Sequence, residues 1–249
     1  SLYLIFSEKL NRTIASALGA AAIVGVGVAM GFYSEEQAIK AVDFETIGLL
    51  MGMMVLVSIL QPTGFFQYLA VLAGKVSQGR PVRLLLLLGG ITTVLSMFLD
   101  NVTTVVLIAP VTILMSEILG ISATPFLMAE ALLSDTGGVA TLVGDPPNVL
   151  IATSASFTFI DFLTHALPVV VIAWLSAMLL LRIMFRHELD APVPNQEAVM
   201  SFVPMEALKD WLTARKVIIV VVLAIIFFLL EDILGISPAF VALAAATVS

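Results

Sequence analysis

The feature that most constrains this chain is a series of apolar runs close to bilayer length, two of them interrupted by polar residues. Ile14–Phe32, Glu45–Leu60, Leu163–Leu181 and Lys216–Leu230 each approach the ~20 residues that a spanning helix needs. Leu84–Leu99 and Val102–Met115 are two shorter arms joined by Asp100-Asn101. Thr124–Ala155 is one long apolar stretch broken by Gly144-Asp145-Pro146-Pro147-Asn148, and a last apolar run begins near Pro238. The composition agrees: 60% of the 249 residues are hydrophobic and 12% charged, against about 45–50% and about 25% in a soluble domain. The fold class predicted is an all-α polytopic membrane protein. A soluble enzyme, a disordered tail, a disulfide scaffold and a nucleic-acid binder are excluded together, the last also by a net charge of −7.

Basic residues orient the spans by the positive-inside rule. They cluster at Lys9 and Arg12, at Lys75, Arg80 and Arg83, and around Arg182, Arg186, Lys209, Arg215 and Lys216. The connection 33–43 carries Glu35, Glu36 and Asp43 against Lys40. This predicts a multi-pass protein of the cell inner membrane with a cytoplasmic amino terminus, and with 62–83 and 186–215 on that same side. Ile14–Phe32 has no small-residue cleavage site and reads as an uncleaved first helix. An even number of crossings between 83 and 186 then requires the arms 84–115 to return to the side they came from. The arms rise about 24 and about 21 Å, short of a ~30 Å core, which favours a re-entrant hairpin over two tilted spans. Residues 1–185 read as a first membrane repeat and 186–215 as a cytoplasmic linker, in which Met205–Leu212 forms either an interfacial helix anchored by Trp211 or a solvated loop helix. Residues 216–249 read as the truncated start of a second repeat, so the chain is expected to be part, or the ordered part, of a longer protein.

From Leu84 through Leu181 there is no Lys or Arg, yet Asp100, Glu117, Glu130, Asp135, Asp145 and Asp161 occur there. An ionised side chain at membrane depth costs at least about 2.5–3.5 kcal/mol and usually faces a cavity or a partner. Protons, bound cations and helix N-termini are the neutralisers available. Glu117, Glu130 and Asp161 are read as solvated near the headgroups, whereas Asp100 and Asp145 lie at breaks in apolar segments. A hairpin tip at Asp100-Asn101, followed by Thr103 and Thr104, would present capping oxygens and free N–H groups to a cavity. Two prolines prevent a helix from running unkinked through 144–148, and broken helices expose the half-helix ends used as ion and substrate sites in secondary transporters. Ser134, Gly137, Gly138, Thr141, Gly144 and Asn148 fall at helical spacing and predict one small, polar face, suited to close helix packing as well as to a site. His165 and His187 lie near span ends, and no GxxxxGK[ST] or HExxH motif occurs. No catalytic residue, metal site or cofactor is expected beyond a coupling ion, H+ or Na+.

The strings VDFETIGLLMGMM (Val42–Met54), DNVTT (Asp100–Thr104), APVT (Ala109–Thr112) and GGVATLVGDPPN (Gly137–Asn148) resemble the ArsB/NhaD permease family of the ion-transporter superfamily. That superfamily contains arsenite efflux permeases, sodium/proton antiporters, the pigmentation P protein and, more distantly, dicarboxylate transporters. The likeness runs from about Asp43 to Ala173. It implies an inverted-repeat fold in which each half carries a re-entrant hairpin and a broken helix, with one repeat visible here, and a homodimer in the lipid bilayer. It also implies a site of Asp100, Asn101, Thr103 and Thr104 facing Gly144, Asp145 and Asn148, with Asp145, Asp100 and Asp135 as proton-coupling candidates. Asp135 departs from the family, whose members commonly carry Asn before the Gly-Gly pair. The function implied first is proton-coupled efflux of arsenite or antimonite. Sodium/proton antiport and organic-anion or chloride transport are the alternatives, and a non-transporting membrane scaffold the rival of a different class. An ATPase subunit is neither implied nor excluded.

Overall fold

The computed structural model describes residues 11–32 and 34–249; Lys9, one of the orienting basic residues, lies outside them. The chain forms two units. The first, through Phe44, contains helix α1 (Arg12–Ala29) and the short helix α2 (Glu35–Lys40). α2 starts with a reciprocal capping box between Ser34 and Gln37 and carries an exposed Glu36–Lys40 ion pair of 2.7 Å.

The second unit, Glu45–Ser249, is built from α3 (Phe44–Leu60, all but its first residue), α4 (Phe65–Ser77), α5 (Pro81–Ser96), α6 (Asn101–Leu119), α7 (Thr124–Gly138), α8 (Pro146–Ala155), α9 (Phe159–Met184), α10 (Trp211–Leu229) and α11 (Pro238–Val248). No strand occurs among the described residues. Among the described residues, four helical segments are long and apolar enough to cross a membrane: Phe44–Thr63, Asn101–Leu119, Phe159–Met184 and Trp211–Leu229. Large apolar side chains on them point outward, as Met51, Val106, Ile172 and Leu223 do, which is the surface that lipid requires and water does not tolerate.

The helix boundaries depart from the sequence expectation in informative ways. The second hairpin arm is the 19-residue α6, about 28 Å long, because the helix continues through Ser116 and Glu117 to a left-handed Gly120. The length argument for a re-entrant hairpin therefore holds for α5, with 16 residues, and not for α6. The connection 62–83 contains the amphipathic helix α4, which packs on α5 and α6 and buries Phe66, Ala70, Ala73 and Gly74. Met205–Leu212 is not one helix. A single turn, Pro204–Ala207, is followed by extended residues, and Trp211 opens α10 because the Asp210 carboxylate caps it by accepting the Thr213 N–H at 3.1 Å. That exposed carboxylate is held below its usual range by the hydroxyl and N–H of Thr213. The segment 186–210 is stitched down rather than loose. Asn195 Nδ2 donates to Ile118 O, Gln196 Nε2 to Gln78 O and Lys209 N to Thr63 O, while Leu189 and Val199 are buried.

Two apolar clusters form the interior of this unit. One contains Leu49, Leu56, Phe66, Leu142, Val149, Phe159 and Phe228. The other contains Leu84, Leu88, Ile108, Met115, Phe126, Leu133 and Met178. Leu95 packs against both. The α5–α6 turn therefore sits where the two clusters meet.

Candidate functional site

The α5–α6 turn and the α7–α8 break come together as one constellation. α5 ends at Ser96, and Asp100 caps α6 by accepting the Thr103 N–H and hydroxyl, each at 2.9 Å. Asn101, the first residue of α6, is the hub. Its Nδ2 donates to Asp135 Oδ1 at 3.0 Å and to Asp145 Oδ2 at 3.1 Å. Its Oδ1 accepts from the Ser96 hydroxyl at 2.9 Å, a proton that Ser96 shares with Ser134 O at 2.7 Å. One neutral amide thus holds two carboxylates, with Asp100 within electrostatic reach of Asp145 as well.

The break itself is wider than the prolines. Helix α7 ends at Gly138, residues 139–145 are non-helical, and α8 begins at Pro146. The prolines do not interrupt a helix. They occupy the first turn of α8, where no backbone donor is needed and the fixed φ favours a helix start. The small, polar helix face read from Ser134 to Asn148 is accordingly confined to Ser134, Gly137 and Gly138. Thr141 and Gly144 lie in the break and Asn148 on the next helix. Two consecutive glycines weaken the helix there, and side chains supply better partners for the freed groups. Asn148 Nδ2 donates to Gly138 O and Thr141 O, both at 2.8 Å, while the Thr141 hydroxyl donates to Met97 O and accepts the Gly144 N–H. The buried Asn148 therefore closes the end of the preceding half-helix, while Thr141 ties the break to Met97, the residue after α5.

The glycines make this approach possible. A Cβ on Gly138 would overlap Asn101 Oδ1 and come within 3.0 Å of Asp145 Oδ2. One on Gly137 would strike the Thr93 backbone, and one on Gly144 would strike Gly138 O and Ser96 O.

Of the residues expected at the site, Asn101, Asp135 and Asp145 meet directly, with Gly144 and Asn148 shaping the backbone around them. Thr104 is fully buried and spends its hydroxyl on Asp100 O. Thr103 and Asp100 instead line a cavity of about 450 Å3 with Gly144 and Pro146, together with Met53 and Ser58 of α3 and Gln61 of the turn that follows it. Ser58 and Gln61 carried no signal in the sequence, because they sit in or beside an ordinary apolar span. Among the described residues no three His, Cys, Asp or Glu side chains converge to hold a metal ion. Glu117 and Asp161 are exposed, Asp161 in the capping box of α9. Glu130 is not solvated as expected: it is fully buried, with Oε1 2.5 Å from the Thr112 hydroxyl.

The chain matches the family model described as citrate transporter over residues 2–249. It is 43% identical over 241 residues to a 46 kDa membrane protein of Mycobacterium leprae, covering 96% of this chain and 56% of that protein. It is 42% identical over 248 residues to an uncharacterized transporter of Mycobacterium tuberculosis, covering 98% and 57% respectively. With the human P protein it shares 40% identity over 188 residues, 73% of this chain and 22% of that protein. The chain thus spans little more than half the length of the mycobacterial relatives. The family shown is therefore the citrate transporter family, and the more specific ArsB/NhaD resemblance is not confirmed by the match.

Proposed function

Because the chain belongs to the citrate transporter family, we propose that the whole protein is a secondary active transporter whose coupling cation binds at the Asp135–Asn101–Asp145 cluster. The observation that carries this reading is the single Asn101 amide shared by two carboxylates at a helix break, in a stretch without Lys or Arg. Two like charges on one nitrogen repel, and a proton or a sodium ion relieves that repulsion. The solute occupies the cavity beside Asp100, Thr103 and Gly144, and access alternates as the α5–α8 bundle shifts against the remaining spans. An acidic site with no basic side chain suits a neutral solute exchanged for protons, and arsenite or antimonite is such a solute. A second reading, a carboxylate anion such as citrate, is favoured by the family's description.

The test uses the intact protein in sealed proteoliposomes holding a pH-sensitive dye. Arsenite, citrate and sodium are added separately, with and without an imposed proton gradient. Proton movement with arsenite alone, lost in Asp145→Asn, supports metalloid/proton exchange. Movement with citrate assigns the organic-anion reading, and movement with sodium alone makes the protein an antiporter. Equal transport by wild type and Asp145→Asn removes the cluster from coupling, and silence with all three solutes withdraws the mechanism.

A further inference from the structure

Glu130 lies outside the cluster described above and is used by no step of the proposed transport. It sits on α7 between Ala129 and Ala131, and its side chain is wholly removed from solvent. Oε1 is 2.5 Å from the Thr112 hydroxyl on α6, and Oε2 has no hydrogen-bond partner. Thr104, Thr112 and Ser116 form a buried polar stripe on that face of α6, and the Ser116 hydroxyl is likewise unpartnered. No titratable residue on the helices packed against α7 is hydrogen-bonded or ion-paired to this carboxyl. Arg83 on α5, Glu117 on α6 and Asp161 and His165 on α9 are exposed, and Arg182 on α9 is paired with Asp190 at 2.6 Å. Asp135, on α7 itself, is exposed and bonded to Asn101.

A buried carboxylate with one bare oxygen and no cation is the costliest arrangement available to this side chain, whereas a neutral carboxylic acid needs only ordinary hydrogen bonds. We propose that Glu130 is a proton-binding site of the α6–α7 interface: it carries a proton as a neutral acid in this conformation and releases it to solvent when that interface loosens. The ligand is the proton alone, so the inference does not depend on which solute the protein carries.

Infrared spectroscopy of the intact, solute-free protein tests it, with glutamate labelled by carbon-13. At neutral pH the wild type is expected to show the C=O stretch of a protonated carboxyl that shifts with the label. That band persists in Asp100→Asn, Asp135→Asn and Asp145→Asn, and disappears in Glu130→Gln. Thr112→Val, which removes the hydrogen bond and keeps the shape, moves the band without abolishing it. Raising the pH bleaches the band reversibly, and hydrogen exchange along α6 and α7 rises in step. A band absent from wild type, or unmoved by Thr112→Val, overturns the assignment. So does a band that survives the whole alkaline range, because Glu130 is then a permanent structural acid rather than a site that exchanges its proton.

Discussion

At the scale of single residues, the site depends on side chains that are either missing or doubly used. Gly138 leaves the space that Asn101 and Asp145 fill, so Gly138→Ala drives a methyl group into the hub amide. Overpacking of this kind typically costs about 1–3 kcal/mol. We expect Gly138→Ala to lower the thermal midpoint and to abolish transport more completely than that loss of stability explains; wild-type transport rates in the variant would show that the contact is dispensable. Asn148 uses both amide protons on buried carbonyls, and Asn148→Ala leaves Gly138 O and Thr141 O without those donors. Each unsatisfied buried group costs about 1–3 kcal/mol. With two such groups, chemical denaturation should report a loss of about 2–6 kcal/mol, and Asn148→Asp, which has no amide donor, should be no better than Ala. Both positions stand in GGVATLVGDPPN, so their importance was legible in the sequence. Their roles were not, since a helix-spacing argument placed Ser134 through Asn148 on one face, and only the fold shows that the face ends at Gly138.

At the scale of elements, helix ends decide the architecture. Asp100, Thr158, Asp210 and Ser237 each accept an N–H from the first turn that follows, and Pro146 and Pro147 begin α8 without needing donors. The first turn of α9 has a further acceptor from far along the chain, because the Phe159 N–H donates to Glu231 Oε2 at 2.9 Å. The Glu231 carboxyl, in the turn after α10, is pushed above its ordinary value by partial burial, opposed by the Phe159 hydrogen bond and reinforced by Asp232, Glu45 and Asp161. A carboxyl whose folded value is raised contributes stability that is fully present below its unfolded value and is lost as the pH rises through the folded one. The thermal midpoint of wild type should therefore fall relative to that of Glu231→Gln as the pH climbs above about 4.5. Glu231→Gln retains an acceptor for Phe159, and parallel pH curves for the two proteins would sink this account. No local pattern pairs residue 159 with residue 231, so this clamp was invisible before the fold was known. Helix α4 was passed over for a related reason: it is too short and too amphipathic to register as a span.

At the scale of the whole molecule, the number and character of the apolar helices are properties of the chain alone. Lipid cannot hydrogen-bond the backbone, so runs such as Trp211–Leu229 must be helical and must turn apolar side chains outward. The positive-inside rule predicts that 62–83 and 186–215 share one side of the membrane. A single cysteine at Gln78 and another at Gln196, whose side chain bonds Gln78 O, should label with an impermeant thiol reagent from the same face; opposite accessibility would refute that topology.

The sequence by itself determined the class of protein, the two places where apolar segments fail and the carboxylates left without basic partners, because burial in lipid and the chemistry of proline, glycine and aspartate act residue by residue. The tertiary structure decided which carboxylates meet. Asn101, Asp135 and Asp145 are separated by tens of residues and join only because glycines let α7 approach α5. It also decided that Glu130 is enclosed rather than solvated. Burial of a side chain is set by what packs over it, and for Glu130 those neighbours lie on α6, across a contact that no spacing within α7 encodes.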